Sequence, residues 1–331
     1  MTTQHPTFKR RAFLAGAAMT LVVGFTTYDS DALADYPDRP ISLVVPFPAG
    51  SGTDAAGRIF AQEIGKHLNG QVIVENKPGA NATIAANFVA RAKPDGYTLF
   101  VTTNTSHSAA PFLMTNVPYD PVTDFTPIAR GGNLPFLLVV NPKLPIKSVQ
   151  ELIDYAKKNP GKLTYASGNS TGIVAGATLG RRADIDILHV PYKGTPQAMT
   201  DLIGGQVDMM FTDLTSSLAF VKSGQMRALA VSTAKRSDIT PDIPSMEEAG
   251  VKNFDINSWN GFFGPKDLPP EIVAKLNKAI NDTVNDPAVK KRLADQGFDA
   301  FSGTPESFAT FVSEQRDLWG SMIKDAGIAP Q

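Results

Sequence analysis

Apolar positions in this chain follow two periods that take turns along its length. Short, nearly continuous apolar runs predict buried strands, and longer stretches with apolar residues three and four apart predict amphipathic helices. Ile41–Val45, Gln71–Glu75 ("QVIVE") and Tyr97–Thr102 read as strands, separated by helical patterns over Asp54–Leu68 and Ala82–Ala92. The rhythm resumes with strand Phe136–Val140 and helix Val149–Lys158, where Ser148 and Glu151 have capping-box spacing. Strand Leu163–Ser167, a helix from Ile173, strand Ile187–Val190, a helix over Pro196–Ile203, strand Val207–Phe211 and a helix over Thr215–Val221 continue it. Ile256–Phe263 reads as an extended return, and helices over Pro270–Asn285, Pro287–Gln296 and Pro305–Ala326 close the chain. The last is well marked, with Thr304 as N-cap and Pro305 at the first helical position.

Strict alternation of strand and helix predicts parallel, doubly wound α/β sheets. The pattern restarts after Ala129-Arg130-Gly131-Gly132, and both runs open with a strand feeding a small-residue loop. The expectation is therefore two α/β lobes, 35–131 with 257–331 and 132–256, joined by a two-stranded hinge where the chain crosses near 130 and near 256. Hinged lobes of this kind bind ligands in the cleft between them.

Composition narrows the chemistry. The chain has 331 residues, 19% of them charged, and a formal net charge of −1, so it has no electrostatic footprint for nucleic acid. It has no cysteine, which excludes disulfides, thiolate metal sites and cysteine nucleophiles. His5, His67, His107 and His189 are not at metal-ligand spacing, so neither a metal nor a cofactor is expected. At the start, Lys9-Arg10-Arg11 precedes the apolar run Ala12–Phe25, which is too short for a stable membrane span, and Ala32-Leu33-Ala34 offers an A-x-A cleavage site. The expectation is an export signal over residues 1–34, removed after Ala34 by the twin-arginine or the general route, and a mature protein in the periplasm.

Two loops carry the candidate chemistry. Val45-Pro-Phe-Pro-Ala-Gly-Ser-Gly-Thr-Asp54 and Tyr165-Ala-Ser-Gly-Asn-Ser-Thr-Gly172 each follow a strand's carboxyl end, are rich in Gly, Ser and Thr, and lead into a helix. Ligands of open α/β sheets sit at such ends, and a helix N-terminus favours an anion without a cationic side chain. Three readings compete. Gly168-Asn169-Ser170-Thr171-Gly172 fits the G-x-S-x-G elbow of serine hydrolases. Its only downstream histidine, His189, follows too closely for the β/α units that assemble a triad, and Asp184 and Asp186 crowd the same stretch. Gly50-Ser51-Gly52-Thr53-Asp54-Ala55 fits the dinucleotide fingerprint G-x-G-x-x-A, with Glu75 about where the ribose-binding acid would stand. Pro46 and Pro48 spoil its tight turn, and Asp54 puts a carboxylate where a pyrophosphate would lie. The third reading is reversible capture of a small carboxylate by hydroxyls of Ser51, Thr53, Ser167, Ser170 and Thr171 and the amides around them, with no catalytic pair. This reading prevails.

The motifs bear out a resemblance. Tyr36-Pro37-Asp38-Arg39-Pro40, "VPFPAGSGTD", "VENKPGA" (Val74–Ala80), "PDGYTL" (Pro94–Leu99), "SGNSTG" (Ser167–Gly172), "VPYKG" (Val190–Gly194), "DLIGGQVDMMF" (Asp201–Phe211), "RALAVSTAKRS" (Arg227–Ser237) and "IPSMEEAG" (Ile243–Gly250) occur in order. The chain resembles the Bug/TctC-type periplasmic solute-binding proteins of tripartite tricarboxylate transporters. The resemblance implies a type II periplasmic-binding-protein fold, two lobes closing on a ligand, and two loops, here 46–54 and 167–172, that grip a carboxylate. It further implies a monomer with no enzymatic activity. Its cargo would be a di- or tricarboxylate, an acidic amino acid or an aromatic acid, delivered to one large and one small integral-membrane subunit.

Candidate contacts are thus Phe47, Ala49, Gly50, Ser51, Gly52, Thr53 and Asp54 on the first loop, and Ser167, Gly168, Asn169, Ser170 and Thr171 on the second. Relatives usually continue "VENKPGA" with two glycines where this chain has Asn81-Ala82, so Asn81 either faces the cleft or caps the next helix. Asn104, after the third strand, is an expected contact, with His107 beside it either a contact or structural. Asp213 either accepts from a ligand amine or hydroxyl or caps the helix that follows, and Trp259 and Asn260 serve the ligand, the hinge or the core.

Overall fold

The computed structural model describes residues 1–3 and 36–331, so the export segment and the cleavage point after Ala34 lie outside the described residues. Among the described residues two sheets form. The first contains β1 (Ile41–Val45), β2 (Val72–Asn76), β3 (Thr98–Thr103), β4 (Phe125–Leu134), β10 (Ser258–Pro265) and β11 (Asp299–Ala300), in the order β11-β4-β10-β3-β1-β2. The second contains β5 (Phe136–Val140), β6 (Thr164–Ser167), β7 (Leu188–Pro191), β8 (Met209–Asp213) and β9 (Arg227–Val231), in the order β7-β6-β8-β5-β9. The Ala129–Gly132 stretch, where the sequence pattern restarts, lies inside β4, which stays in the first sheet as far as Leu134.

The sheets are mixed, which corrects the expectation of wholly parallel ones. In the first, β10 runs antiparallel to both β3 and β4; in the second, β5 runs antiparallel to both β8 and β9. The reason is the connectivity. β5 and β10 are the strands entered directly from the other lobe, so they run away from the cleft while most of their neighbours run toward it. The two crossing segments are fastened together: Ser232 N donates to Phe136 O at 2.9 Å, Ile256 N donates to Ser232 O at 2.9 Å, and Ser232 Oγ donates to Ile256 O at 2.6 Å.

Helices flank both sheets: α1 (Gly52–Leu68), α2 (Thr83–Ala90), α3 (Ala110–Leu113), α4 (Val149–Lys158), α5 (Ser170–Ala183), α6 (Thr195–Gly204), α7 (Leu214–Lys222), α8 (Pro270–Asn285), α9 (Pro287–Asp295) and α10 (Pro305–Asp325). Four start earlier than periodicity predicts, α6 and α7 by one residue and α1 and α5 by more, because the caps of α1 and α5 lie in the loops. Ser51 accepts from Asp54 N and starts α1 at Gly52; Asn169 accepts from Gly172 N at 2.9 Å and starts α5 at Ser170. At α4, Ser148 caps as expected, but Glu151 reaches back to Lys147 N rather than to the cap itself. Thr304 and Ser307 form a reciprocal capping box at α10.

Each sheet has its own core. Val44, Phe100, Phe125, Phe263 and Phe308 pack in the first, with Trp259 fully buried among them. Leu137, Val139, Met199, Leu202, Met210 and Leu214 pack in the second. Each such aromatic or aliphatic side chain contributes about 1.5–3 kcal/mol of burial free energy, so each lobe holds its cleft-facing loops on a packed platform. Trp259, edge-on to Phe308 at 5.8 Å, belongs to this core and not to the cleft.

Candidate functional site

The carboxyl ends of β1, β3, β6 and β8 meet across the cleft, and the helices that follow them start there. A small cavity of about 20 Å³ lies between the lobes, lined by Phe47, Ser51, Gly52, Thr53, Thr103, Thr105, Leu134, Phe136, Asn169, Thr171, Thr195, Asp213 and Ser258. That is room for a group of about the size of a water molecule. A second chamber of about 290 Å³ shares Phe47, Thr105 and Asn169 with it and adds Gly79, Asn81, Gly168, Tyr192 and Lys193 among others.

Four helix N-termini line the inner cavity. Ser51, Gly52 and Thr53 open α1; Asn169 and Thr171 open α5; Thr195 opens α6; Asp213 caps α7. The first comes from the first sheet's lobe and the other three from the second. Each terminus presents unpaired N–H groups and a partial positive charge of about half a unit. No Lys or Arg lines this cavity. An anion there would be held by backbone dipoles and hydroxyls.

The sequence-predicted residues divide into three groups. Phe47, Ser51, Gly52, Thr53, Asn169, Thr171 and Asp213 line the inner cavity, and Phe47, Asn81, Gly168 and Asn169 line the outer chamber. Ala49 and Gly50 are exposed on the rim of the first loop, where Gly50 has φ 82°, a left-handed conformation that suits glycine. Asp54, Asn104, Ser167 and Ser170 are committed to other partners.

Asp54 braces its own loop. Its carboxylate accepts from Gly50 N (2.9 Å), Arg58 Nε (3.1 Å), Arg58 Nη2 (2.9 Å) and Asn76 Nδ2 (2.9 Å). Burial pushes this carboxyl up, but Arg58, the Gly50 amide and Asn76 outweigh burial and hold it below the ordinary carboxylate range. The cap of α1 is Ser51. Asn104 is fully buried and joins the lobes: Nδ2 donates to Thr171 Oγ1 (3.0 Å) and Ser170 Oγ (3.3 Å), and Oδ1 accepts from Ser258 Oγ at 2.5 Å. Ser170 Oγ donates to Thr105 Oγ1 at 2.9 Å, across the same junction.

This arrangement removes the nucleophile reading of Ser170. The histidine that reading required bonds a different serine, with His189 Nε2 and Ser167 Oγ 2.7 Å apart, while its ring stacks on Tyr165. Burial keeps His189 below its ordinary pKa. His107 is structural: fully buried, stacked on Phe263 with centroids 4.0 Å apart, and pushed down to about 3 by desolvation.

Asn81 caps nothing, because α2 begins after Ala82 without a side-chain cap. Ala80, Asn81 and Ala82 have φ of 46°, 48° and 68°. This run of left-handed residues without glycine costs roughly 1–2 kcal/mol per residue and sits on the wall of the outer chamber. Asp213 does cap a helix, Oδ1 accepting from Ser216 N at 2.8 Å, and also faces the cavity.

Thr195 and Ser258 line the cavity unforeseen, while Thr103 and Thr105 flank Asn104 in the stretch Thr103–His107, which the sequence places at the cleft. Thr195 had a local signal, since "VPYKGTP" repeats the strand, small-residue loop and helix design of the two recognised loops. Ser258 had none: it reaches the cavity only because the chain returns to the first sheet at that point.

Interlobe packing in this region depends on missing Cβ atoms. One added at Gly52 would lie 2.0 Å from Asp213 Oδ1, and one at Gly194 would lie 2.5 Å from Pro48 Cγ.

Comparison with known proteins places these features. The family model described as "Tripartite tricarboxylate transporter family receptor" matches residues 56–328. R. palustris Rpa4515 with adipate is 33% identical with a TM-score of 0.88, covering 89% of this chain and 100% of that one. The periplasmic binding protein BugD is 36% identical with a TM-score of 0.85, over 89% of this chain and 100% of its own. MatC from Rhodopseudomonas palustris with bound malate is 33% identical with a TM-score of 0.82, over 87% of this chain and 100% of its own.

Proposed function

Because this chain belongs to the tripartite tricarboxylate transporter receptor family, whose members are periplasmic solute-binding receptors and not enzymes, we propose that it captures one small carboxylate between its lobes. The observation that carries this reading is the meeting of four helix N-termini, from both lobes, on one cavity without a cationic side chain. An anion there gains charge–dipole attraction and N–H donors from both sides, so it stabilises the arrangement with the lobes in contact over one with them apart. One oxygen of the cargo's carboxylate enters the inner cavity, and the remainder of the molecule extends past Phe47 and Asn169 into the outer chamber. Neighbours bound to adipate and malate support a carboxylate as the shared ligand chemistry.

On this reading the lobes are 35–131 with 257–331 and 132–256, and the gripping residues are those of loops 46–54 and 167–172 together with Thr195 and Ser258. The protein acts in the periplasm as a monomer after cleavage following Ala34, without a cofactor, and passes its cargo to one large and one small integral-membrane subunit. A thermal-shift screen against dicarboxylates, tricarboxylates, amino acids and aromatic acids tests the central claim. At least one carboxylate raises Tm in a concentration-dependent way while its amide or ester does not. Equal response to the neutral and the anionic form sinks the reading.

A further inference from the structure

Asp213 is the one charged side chain among those lining the inner cavity, and it sits where a bound anion would be its neighbour. It is 4% exposed, no cation pairs with it among the described residues, and one oxygen serves the cap on α7. Its Oδ1 lies so close to Gly52 that even a methyl group there would overlap it, which puts the carboxylate directly across the cleft from the first turn of α1. Arg58, the nearest guanidinium on α1, is turned away and tied to Asp54. Lys193 lines only the outer chamber.

Two carboxylates side by side in a desolvated cleft repel unless a hydrogen donor lies between them. The cargo's own atoms are the available source. If its carboxylate rests on the amides of Gly52 and Thr53, the part within reach of Asp213 is the substituent on the adjacent carbon. An amine or hydroxyl there donates to Asp213, and an ammonium also supplies the missing countercharge. A hydrogen there leaves two anions facing each other. Burial raises the Asp213 carboxyl above its ordinary range, and the Ser216 amide at the start of α7 offsets only part of the rise.

We propose that Asp213 is a specificity-determining residue that selects carboxylates bearing an amino or hydroxyl group on the carbon next to the carboxylate. This inference rests on the carboxylate-receptor reading above.

The test is isothermal titration of three matched series: succinate, malate and aspartate; glutarate, 2-hydroxyglutarate and glutamate; phenylacetate, mandelate and phenylglycine. Within the series that fits the outer chamber, the 2-substituted acids bind wild type at least tenfold more tightly than the unsubstituted one. Asp213→Asn keeps a good N-cap residue but removes the charge. It lowers the advantage of the preferred substituted acid at least tenfold, and the unsubstituted acid, no longer facing an anion, binds more tightly. The wild-type ratios stand as a readout even if the variant folds poorly. Equal binding within every series that binds, or an unchanged ratio in folded Asp213→Asn, overturns the proposal and leaves the receptor reading intact. If none of the nine acids binds wild type, this proposal falls, and the thermal-shift screen decides the receptor reading separately.

Discussion

Gly52→Ala separates the stability of the lobes from the energetics of their closure. Gly52 is the first residue of α1, buried, and needs no left-handed backbone, so alanine is conformationally acceptable. Within its own lobe the substitution is neutral or stabilising by up to about 1 kcal/mol, the helix-propensity difference. With the lobes in contact the new Cβ would lie 2.0 Å from Asp213 Oδ1, 2.8 Å from Asp213 Cγ and 3.1 Å from Thr215 Cβ. Asp213 cannot swing aside freely because its carboxylate caps α7, a bond worth about 1 kcal/mol. Overpacking of this degree costs about 1–3 kcal/mol. Because the cost arises only when the lobes touch, it appears in binding, as an affinity roughly 5- to 150-fold weaker. Urea denaturation without ligand and titration with whichever acid stabilises wild type most give the two numbers. A variant that binds within twofold of wild type refutes the reasoning, since ligand binding would then not require Gly52 and Asp213 to meet. So would a loss of unliganded stability as large as the loss in binding.

Gly168→Ala acts differently, because its Cβ would meet backbone, 2.3 Å from Thr195 N and 2.4 Å from Gly194 C within the same lobe; unliganded stability falls by about 1–3 kcal/mol in urea denaturation. Ser170→Ala removes the hydroxyl shared with Thr105 and Asn104 and weakens ligand titration by about 1 kcal/mol, roughly fivefold. Neither wild type nor this variant hydrolyses a chromogenic ester, and wild-type turnover abolished by Ser170→Ala would restore the hydrolase reading. His107, neutral in the fold with a pKa of about 3 against 6.5 when unfolded, binds its proton only on unfolding between those values. Its contribution is therefore complete above pH 6.5 and falls by about 1.4 kcal/mol per pH unit below it. Urea midpoints at pH 7 and pH 5 show wild type losing about 2 kcal/mol more than His107→Phe, and parallel losses would contradict the burial argument.

The elements legible in the sequence are those fixed by local pattern. Ile41–Val45, Phe136–Val140, Val149–Lys158 and Pro270–Asn285 fall where periodicity puts them. Errors gather where a residue outside the apolar pattern decides: Ser51 and Asn169 extend their helices backward because a cap side chain, not an apolar stripe, defines the first turn. β4 escaped notice through Ala129-Arg130-Gly131-Gly132, which reads as a break. There Arg130 stacks its guanidinium on Phe311 at 3.5 Å, and Gly132 faces β11 so closely that a Cβ would lie 2.2 Å from Asp299 O. Both partners come from the far end of the chain, and no local pattern could announce them. The antiparallel strands were hidden for the same reason, since direction depends on which lobe the chain arrives from.

The candidate site shows the same division at finer grain. The two glycine-rich loops were recognisable because a helix N-terminus is a local property, visible as small residues between a strand and a helical period. Local reading also offered every hydroxyl in them to the ligand, whereas several side chains in and around these loops hold partners within the chain. Ser167 serves His189, Ser170 serves Thr105, Asn104 serves Thr171 and Ser258, and Asp54 serves Arg58 and Asn76. Those partners stand between four and 154 positions away in the chain. Once these bonds are made, Thr171 on Asn104, Ser51 on the Asp54 amide and Asn169 on the Gly172 amide are engaged too, and the inner cavity depends chiefly on the amides of four helix starts. A site of this kind recognises charge through dipoles fixed by the fold, so its preference for an anion is robust to single side-chain changes. What one side chain can alter is the neighbour of that anion, and Asp213 is the residue placed to do so.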